Sequence, residues 1–203
     1  MSKIMKKRRL STKEKILQST LRLLSIDQLE SIKYDDIAKE AKISRTLIYH
    51  YFPDKDCLYK TLLGEIFTFI NEITSSVDYS KKAKESLKDL YTKIINAIDG
   101  PQNKSTKIFA FISLGIRGVS KFGIFDDSNL PFERKKLFTI IKTLIEKGQA
   151  EGDFVLDDSM QLTVAMMSMI SGMSFRKMYL KEKFRHLDVN IIMNLLLRKE
   201  TTC

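Results

Sequence analysis

Apolar side chains recur along nearly the whole chain at the three- and four-residue spacing of amphipathic helices, and no stretch shows the alternation of a strand. The first helical stretch opens at Ser11-Thr12-Lys13-Glu14, a capping-box pattern, and carries Ile16, Leu17, Leu21 and Leu24 on one face. Two short helices are predicted over residues 34–41 and 45–51; Pro53 ends the second by removing an N–H and restricting Phe52. Asp54 then caps a long helix with Leu58, Leu62, Ile66 and Ile70 on one side and Tyr59, Leu63 and Phe67 beside them. Further helices are predicted over residues 81–98, 105–121, 131–150, 157–181 and 187–199, parted by turn signals at 99–101, 123–129 and 151–153. The helix over 157–181 is apolar nearly all round, so burial on several sides is expected. The pattern predicts an all-α chain, with a small three-helix head (residues 1–55) joined by the long helix to a larger helical body (residues 56–203).

The 203 residues are 43% hydrophobic and 30% charged, with only three prolines and eight glycines, which excludes a collagen, a linker protein and a disordered tail. Charge sharpens the division of the chain. The formal net charge is +10, and residues 1–60 hold 14 Lys and Arg against 8 Asp and Glu, a net of +6. An anionic partner is therefore expected at the head, either nucleic acid or a membrane surface. The first ten residues are basic but lack the apolar run of a signal peptide, and no apolar stretch is long enough to span a bilayer. Cys57 and Cys203 offer neither a disulfide framework nor a paired metal motif. A cytoplasmic protein without a metal or cofactor is expected.

Residues 34–51 have the layout of a DNA-binding helix-turn-helix. Ile37 and Ala41 on the first helix, Ile43 in the turn, and Ile48 and Tyr51 on the second are spaced to form one small core, and Ala38 lies where the helices must cross closely. Ser44 is placed to cap the second helix. With those residues inward, Arg45, Thr46, Leu47, Tyr49 and His50 line the outer side of a helix that would enter the major groove. Arg45 suits guanine O6 and N7, Thr46 and His50 suit base edges, and Leu47 suits a thymine methyl.

Ile37-Ala38, then Ile43-Ser44-Arg45-Thr46-Leu47-Ile48-Tyr49-His50-Tyr51-Phe52, then Lys55 and Leu58, resemble the N-terminal signature of the tetracycline-repressor (TetR) family. The resemblance covers about residues 11–63; beyond them it is one of architecture, helped by the joint at residues 146–152. It implies that Tyr49 and Tyr51 contact phosphates and that Lys55 contacts the DNA backbone. Tyrosine hydroxyls, lysines and helix N-termini are common phosphate partners that set register without reading sequence. The chain departs from the family at three places: Lys42 stands where a turn glycine is frequent, Lys33 where a Ser or Thr cap is usual, and Gln28 where a glycine often follows the first helix. Lys42, as a phosphate partner, and Lys33 join the candidate DNA-binding set.

The resemblance further implies a homodimer that binds a near-palindromic double-stranded operator and a small effector. Leu162, Met166, Met169 and Met173 form one stripe, which with Tyr91, Phe109, Phe111, Phe138 and Phe175 makes a candidate apolar pocket; each also fits plain core packing. Ala165, Ser168 and Gly172 form a small-residue stripe for close helix contact. Leu187, Ile191, Ile192, Leu195 and Leu196 make its companion dimer surface. The expected function is a regulator, most simply a repressor released by a largely apolar effector.

The rival readings are non-specific nucleic-acid binding, a membrane-surface protein, and an enzyme without a recognisable catalytic motif. Only His50 and His186 are present, with no HExxH, GxSxG, P-loop or paired-cysteine set, so no enzyme is expected. A redox role for Cys57, in the first turn of a helix, is the narrowest alternative.

Overall fold

The computed structural model describes residues 10–24, 31–117, 131–180 and 188–198. The basic tail at 1–9, Gln28, the turn at 123–129, His186, Leu187 and Cys203 lie outside them, as does the side chain of Phe111. The described residues form α1 Thr12–Leu24, α2 Tyr34–Ala41, α3 Arg45–Tyr51, α4 Lys55–Thr74, α5 Ala83–Asp99, α6 Gln102–Arg117, α7 Pro131–Ala150, α8 Ser159–Leu180 and α9 Val189–Asn194. Two compact units result, Met1–Leu62 and Leu63–Cys203, with α4 contributing to both. Among the described residues no helix is long and apolar enough to cross a membrane.

Local chemistry accounts for the helix starts in the head. The Ser11 N–H donates to the Glu14 carboxylate (2.7 Å) and the Glu14 N–H to Ser11 Oγ (3.2 Å), completing the capping box of α1. Ser44 Oγ accepts from the Leu47 N–H at 3.2 Å, and Asp54 Oδ1 from the Cys57 N–H at 2.7 Å. At α2 a lysine side chain has no acceptor, so Lys33 cannot cap; instead the Asp36 carboxylate accepts the Lys33 N–H at 2.9 Å.

Inside the head, Ile16, Leu17, Leu21, Ile37, Ile48, Leu58 and Leu62 are buried together with three aromatics, Tyr34, Phe52 and Tyr59. Tyr51, assigned to this core from spacing, is instead 39% exposed. Phe52, where α3 ends and the backbone turns extended, takes the inward place. Ala41 and Ile43 are only half-buried, so of the five residues assigned to the helix-turn-helix core only Ile37 and Ile48 are fully buried. The Tyr34 hydroxyl donates to the Phe52 carbonyl at 3.0 Å, tying the start of α2 to the end of α3. Arg22 joins α1 to α2 through Glu40 at 2.7 Å.

In the body, α5 packs against α6, α7, α8 and α9. Its inward face holds Leu87, Leu90, Tyr91, Ile94 and Ile98, which meet an interior including Ile141, Leu144 and Ile145 of α7 and Met166, Ile170 and Met173 of α8. The Ala83 N–H donates to the Glu151 carboxylate at 2.9 Å, setting the start of α5 beside the end of α7.

Two expectations fail here. The last helix does not run over 187–199. It stops at Asn194, because the Leu196 carbonyl accepts the Val155 N–H (2.9 Å) and the Arg198 N–H donates to the Asp153 carbonyl (3.1 Å). An isolated antiparallel bridge, Phe154 to Leu197, replaces its final turn. Nor is α8 buried on several sides: Thr163, Met166, Ile170, Met173 and Ser174 point inward, while Phe175 (47% exposed) and Tyr179 (55%) face outward.

Candidate nucleic-acid interface

The turn between α2 and α3 sets the angle at which α3 is presented. Lys42 adopts φ 55° and ψ 49°, the left-handed conformation that favours glycine, the residue frequent at this place in the family. The Ile43 N–H donates to the Ala38 carbonyl (3.1 Å) and the Lys42 N–H to the Lys39 carbonyl (3.3 Å), which closes α2 as a Schellman motif. A residue with a Cβ is strained there, so Lys42→Gly should stabilise the head by about 0.5–1 kcal/mol. A higher urea midpoint checks this; an unchanged or lower one would mean that the Lys42 side chain offsets its own backbone strain.

Helix α3 has one fully buried side chain, Ile48, and a largely exposed remainder. Arg45, Thr46, Tyr49, His50 and Tyr51 are exposed, and Leu47 is half-buried. Lys33 and Lys42 are exposed, and Lys55, half-buried, opens α4. The nine candidate DNA-binding residues stand at the N-cap of α2 (Lys33), in the turn after α2 (Lys42), on α3 and at the first position of α4 (Lys55). His50 packs edge-on to Tyr51, with ring centroids 5.3 Å apart.

Arg45 is not a free cation. Its Nη1 donates to Asp35 Oδ2 at 3.0 Å and its Nη2 to the Tyr49 hydroxyl at 3.0 Å, while the guanidinium carbon lies 5.4 Å from the centroid of the Tyr49 ring. The hydrogen bond with Tyr49 and the charge of Asp35 both hold the Arg45 pKa above its ordinary value. The Tyr49 ring meets Tyr34 edge-on at 4.8 Å. Burial, reinforced by the Asp54 charge, pushes the Tyr34 hydroxyl well above the ordinary tyrosine pKa, so it remains a neutral donor. Sequence reasoning missed Tyr34 and Asp35. Tyr34 carries a weak signal, an aromatic opening a helix. Asp35 carries none, because its partner is ten residues away on another helix.

The candidate effector residues lie on α5 to α8. Tyr91, Phe109, Met166 and Met173 are buried, Phe138 and Met169 are half-buried, and Phe175 stacks on Tyr179 at 4.9 Å on the outside. The Tyr91 hydroxyl is buried without a hydrogen-bond partner among the described residues, and burial pushes its pKa far up. A separate open cleft of about 360 Å³, lined by Phe69, Glu72, Ile73, Ser76, Lys93, Asn96, Ala97 and Lys104, contains none of these residues.

On the candidate dimer face, Ala165, Ser168 and Gly172 are exposed, as are Ile191 (54%) and Leu195 (57%). Ile192 and Leu196 do not belong with them: both are buried within the chain, because the inward side of α9 and its final turn is formed by Ile192, Met193 and Leu196. Half-buried Cys57 gives its N–H to the Asp54 cap.

A buried-core helix-turn-helix followed by a helical body is the layout that the sequence resemblance implies. Residues 16–62 match the family model for bacterial regulatory proteins of the tetR family. The solved structures share the fold over nearly the whole chain. The ketosteroid transcriptional regulator KstR2 of Mycobacterium tuberculosis has 16% identity and a TM-score of 0.74, covering 95% of this chain and 98% of that one. The MbdR regulator from Azoarcus sp. CIB has 22% identity and a TM-score of 0.72, with 92% and 97% covered. A TetR transcription regulator from Haloarcula marismortui has 17% identity and a TM-score of 0.61, with 92% and 98% covered. Comparison with curated proteins by sequence gives no match.

Proposed function

We propose that this regulator is a repressor that binds a near-palindromic operator as a homodimer and leaves it when a small, largely apolar effector enters the helical body. The observation that carries the DNA half is the two-sidedness of α3, fully buried at Ile48 and exposed at Arg45, Thr46, Tyr49 and His50. On this reading Arg45, Thr46 and His50 meet base edges and Leu47 a thymine methyl. Tyr49, Tyr51, Lys42 and Lys55 meet phosphates, and Lys33 lies at the edge of the same surface. The exposed apolar positions Ile191 and Leu195, with Ala165, Ser168 and Gly172, form the surface where two copies pair. Two reading helices then sit about 34–36 Å apart, or a multiple of that.

The effector occupies the region of Tyr91, Phe109, Phe138, Met166, Met169 and Met173. By reciprocity, an effector that lowers operator affinity must itself bind the operator complex more weakly by the same factor. Selection of bound sites from random duplex DNA by the purified chain tests the central claim. A two-fold symmetric consensus is expected, and Lys55→Ala should lower the salt slope of its binding by about 0.9 for each lysine that meets a phosphate. A protein that enriches no sequence above the starting pool would overturn the proposal.

A further inference from the structure

We propose that Asp35 is a positioning residue of the DNA-facing surface: it holds the Arg45 guanidinium in place, and Arg45 in turn aims the Tyr49 hydroxyl so that its hydrogen is presented to a DNA phosphate. The proposal rests on the DNA-binding reading of α3 and deepens it.

Three contacts, with two residues, restrain Arg45. Both oxygens of Asp35 face Nη1, at 3.0 and 3.3 Å, Nη2 donates to the Tyr49 hydroxyl at 3.0 Å, and the guanidinium lies over the Tyr49 ring. A planar fork bound on two sides and stacked on a third retains little of its rotamer freedom. Tyr49 is anchored in its turn, edge-on against Tyr34, which is buried and hydrogen-bonded to the Phe52 carbonyl at 3.0 Å. The arrangement therefore runs from the buried head core, through two tyrosine rings, to an arginine and a carboxylate at the surface.

The decisive chemistry is at the Tyr49 oxygen. A phenol has one hydrogen to donate. Because its oxygen accepts from Arg45, that hydrogen must point away from the guanidinium, toward an acceptor outside the network. Among the described residues none takes it, and a phosphate oxygen is an acceptor of the required kind. A donor ordered in advance loses less freedom when the complex forms.

Stability does not explain the network. The Asp35 and Arg45 side chains are 62% and 53% exposed, and an ion pair so open to solvent contributes little to folding. Arg45 keeps further N–H donors for a base edge, so positioning Tyr49 and reading guanine are compatible. A carboxylate near DNA also repels phosphate, and its removal by itself should tighten binding to every sequence. The test must separate that general charge effect from positioning.

A double-mutant cycle does so. Wild type, Asp35→Ala, Tyr49→Phe and the double variant are titrated by anisotropy against the duplex selected by wild type, at one fixed salt concentration. The charge effect of Asp35→Ala is common to both tyrosine backgrounds and cancels in the cycle. Tyr49→Phe should weaken wild-type binding by about tenfold. In the Asp35→Ala background it should weaken binding by no more than about twofold, and the same contraction is expected with Arg45→Ala. Equal losses in the two Asp35 backgrounds would overturn the proposal while leaving DNA binding through α3 intact. No loss for Tyr49→Phe in wild type would also overturn it, because the hydroxyl would then meet no phosphate. A wild type that selects no duplex at all would remove the reading beneath it.

Discussion

Gly148→Ala is expected to be among the most damaging single substitutions in the body, although it adds only one methyl group. A Cβ at this position would lie 2.1 Å from Phe154 Cδ2, 2.4 Å from Cε2 and 2.9 Å from Cγ. Phe154 is fully buried and cannot swing into solvent without opening the interior. Its backbone is held as well: the Asp153 and Phe154 N–H groups both donate to the Gly148 carbonyl, at 3.0 and 3.2 Å. Two effects oppose each other. Alanine gains about 1 kcal/mol over glycine in a helix interior. Overpacking a tight site costs about 1–3 kcal/mol and occasionally more, and a clash with three ring atoms belongs at the upper end. A net loss of about 2 kcal/mol or more is therefore expected, read as a lower denaturant midpoint with the slope unchanged. Adding Phe154→Leu should recover part of the loss. Stability at or above wild type for Gly148→Ala would show that the ring has another place to go.

For the head, Ile48→Ala should abolish DNA binding without touching the exposed face of α3. Ile48 is fully buried between α2 and α3, and truncating a buried isoleucine costs about 2–5 kcal/mol. A unit the size of Met1–Leu62 has little stability to spare, so a loss of this size is enough to unfold it. The expected record is an early unfolding transition in the variant, with the later transition of the body retained, and no binding to the selected duplex. Ile48→Val, costing about 0.5–1.5 kcal/mol, should keep both the fold and the binding. Full DNA affinity in Ile48→Ala would mean that the head's interior does not depend on this side chain.

The legible parts of the fold were those specified by neighbours in sequence. The bounds of α2, α3 and α7 coincide with the predicted ranges, and the caps at Ser11, Ser44 and Asp54 form the hydrogen bonds their spacing implies. Each of these interactions closes within four residues, so the local pattern suffices. Where the reading failed, the deciding contact was remote. The end of α9 was misplaced because Leu196 and Arg198 bond to Val155 and Asp153 on another segment. Ile192 reads as outward from the sequence because one step along a helix turns the side chain by about 100°, and α9 with its final turn carries apolar residues on both sides.

The candidate site divides in the same way. Its residue types and their order, from Lys33 to Lys55, are properties of the linear chain, and so is the concentration of positive charge in the first sixty residues. Periodicity and turn chemistry were enough to determine a helical chain with a helix-turn-helix head, because helices are stabilised by groups three and four residues apart. Only the tertiary structure decided which of those residues are already engaged. Arg45 reads from the sequence as a free base reader, yet in the folded head it is held by Asp35 and Tyr49. That engagement depends on the angle between α2 and α3, which follows from the left-handed Lys42, the buried Ile37 and Ile48, and the Tyr34 bond to Phe52. No pattern within one helix specifies an angle between two.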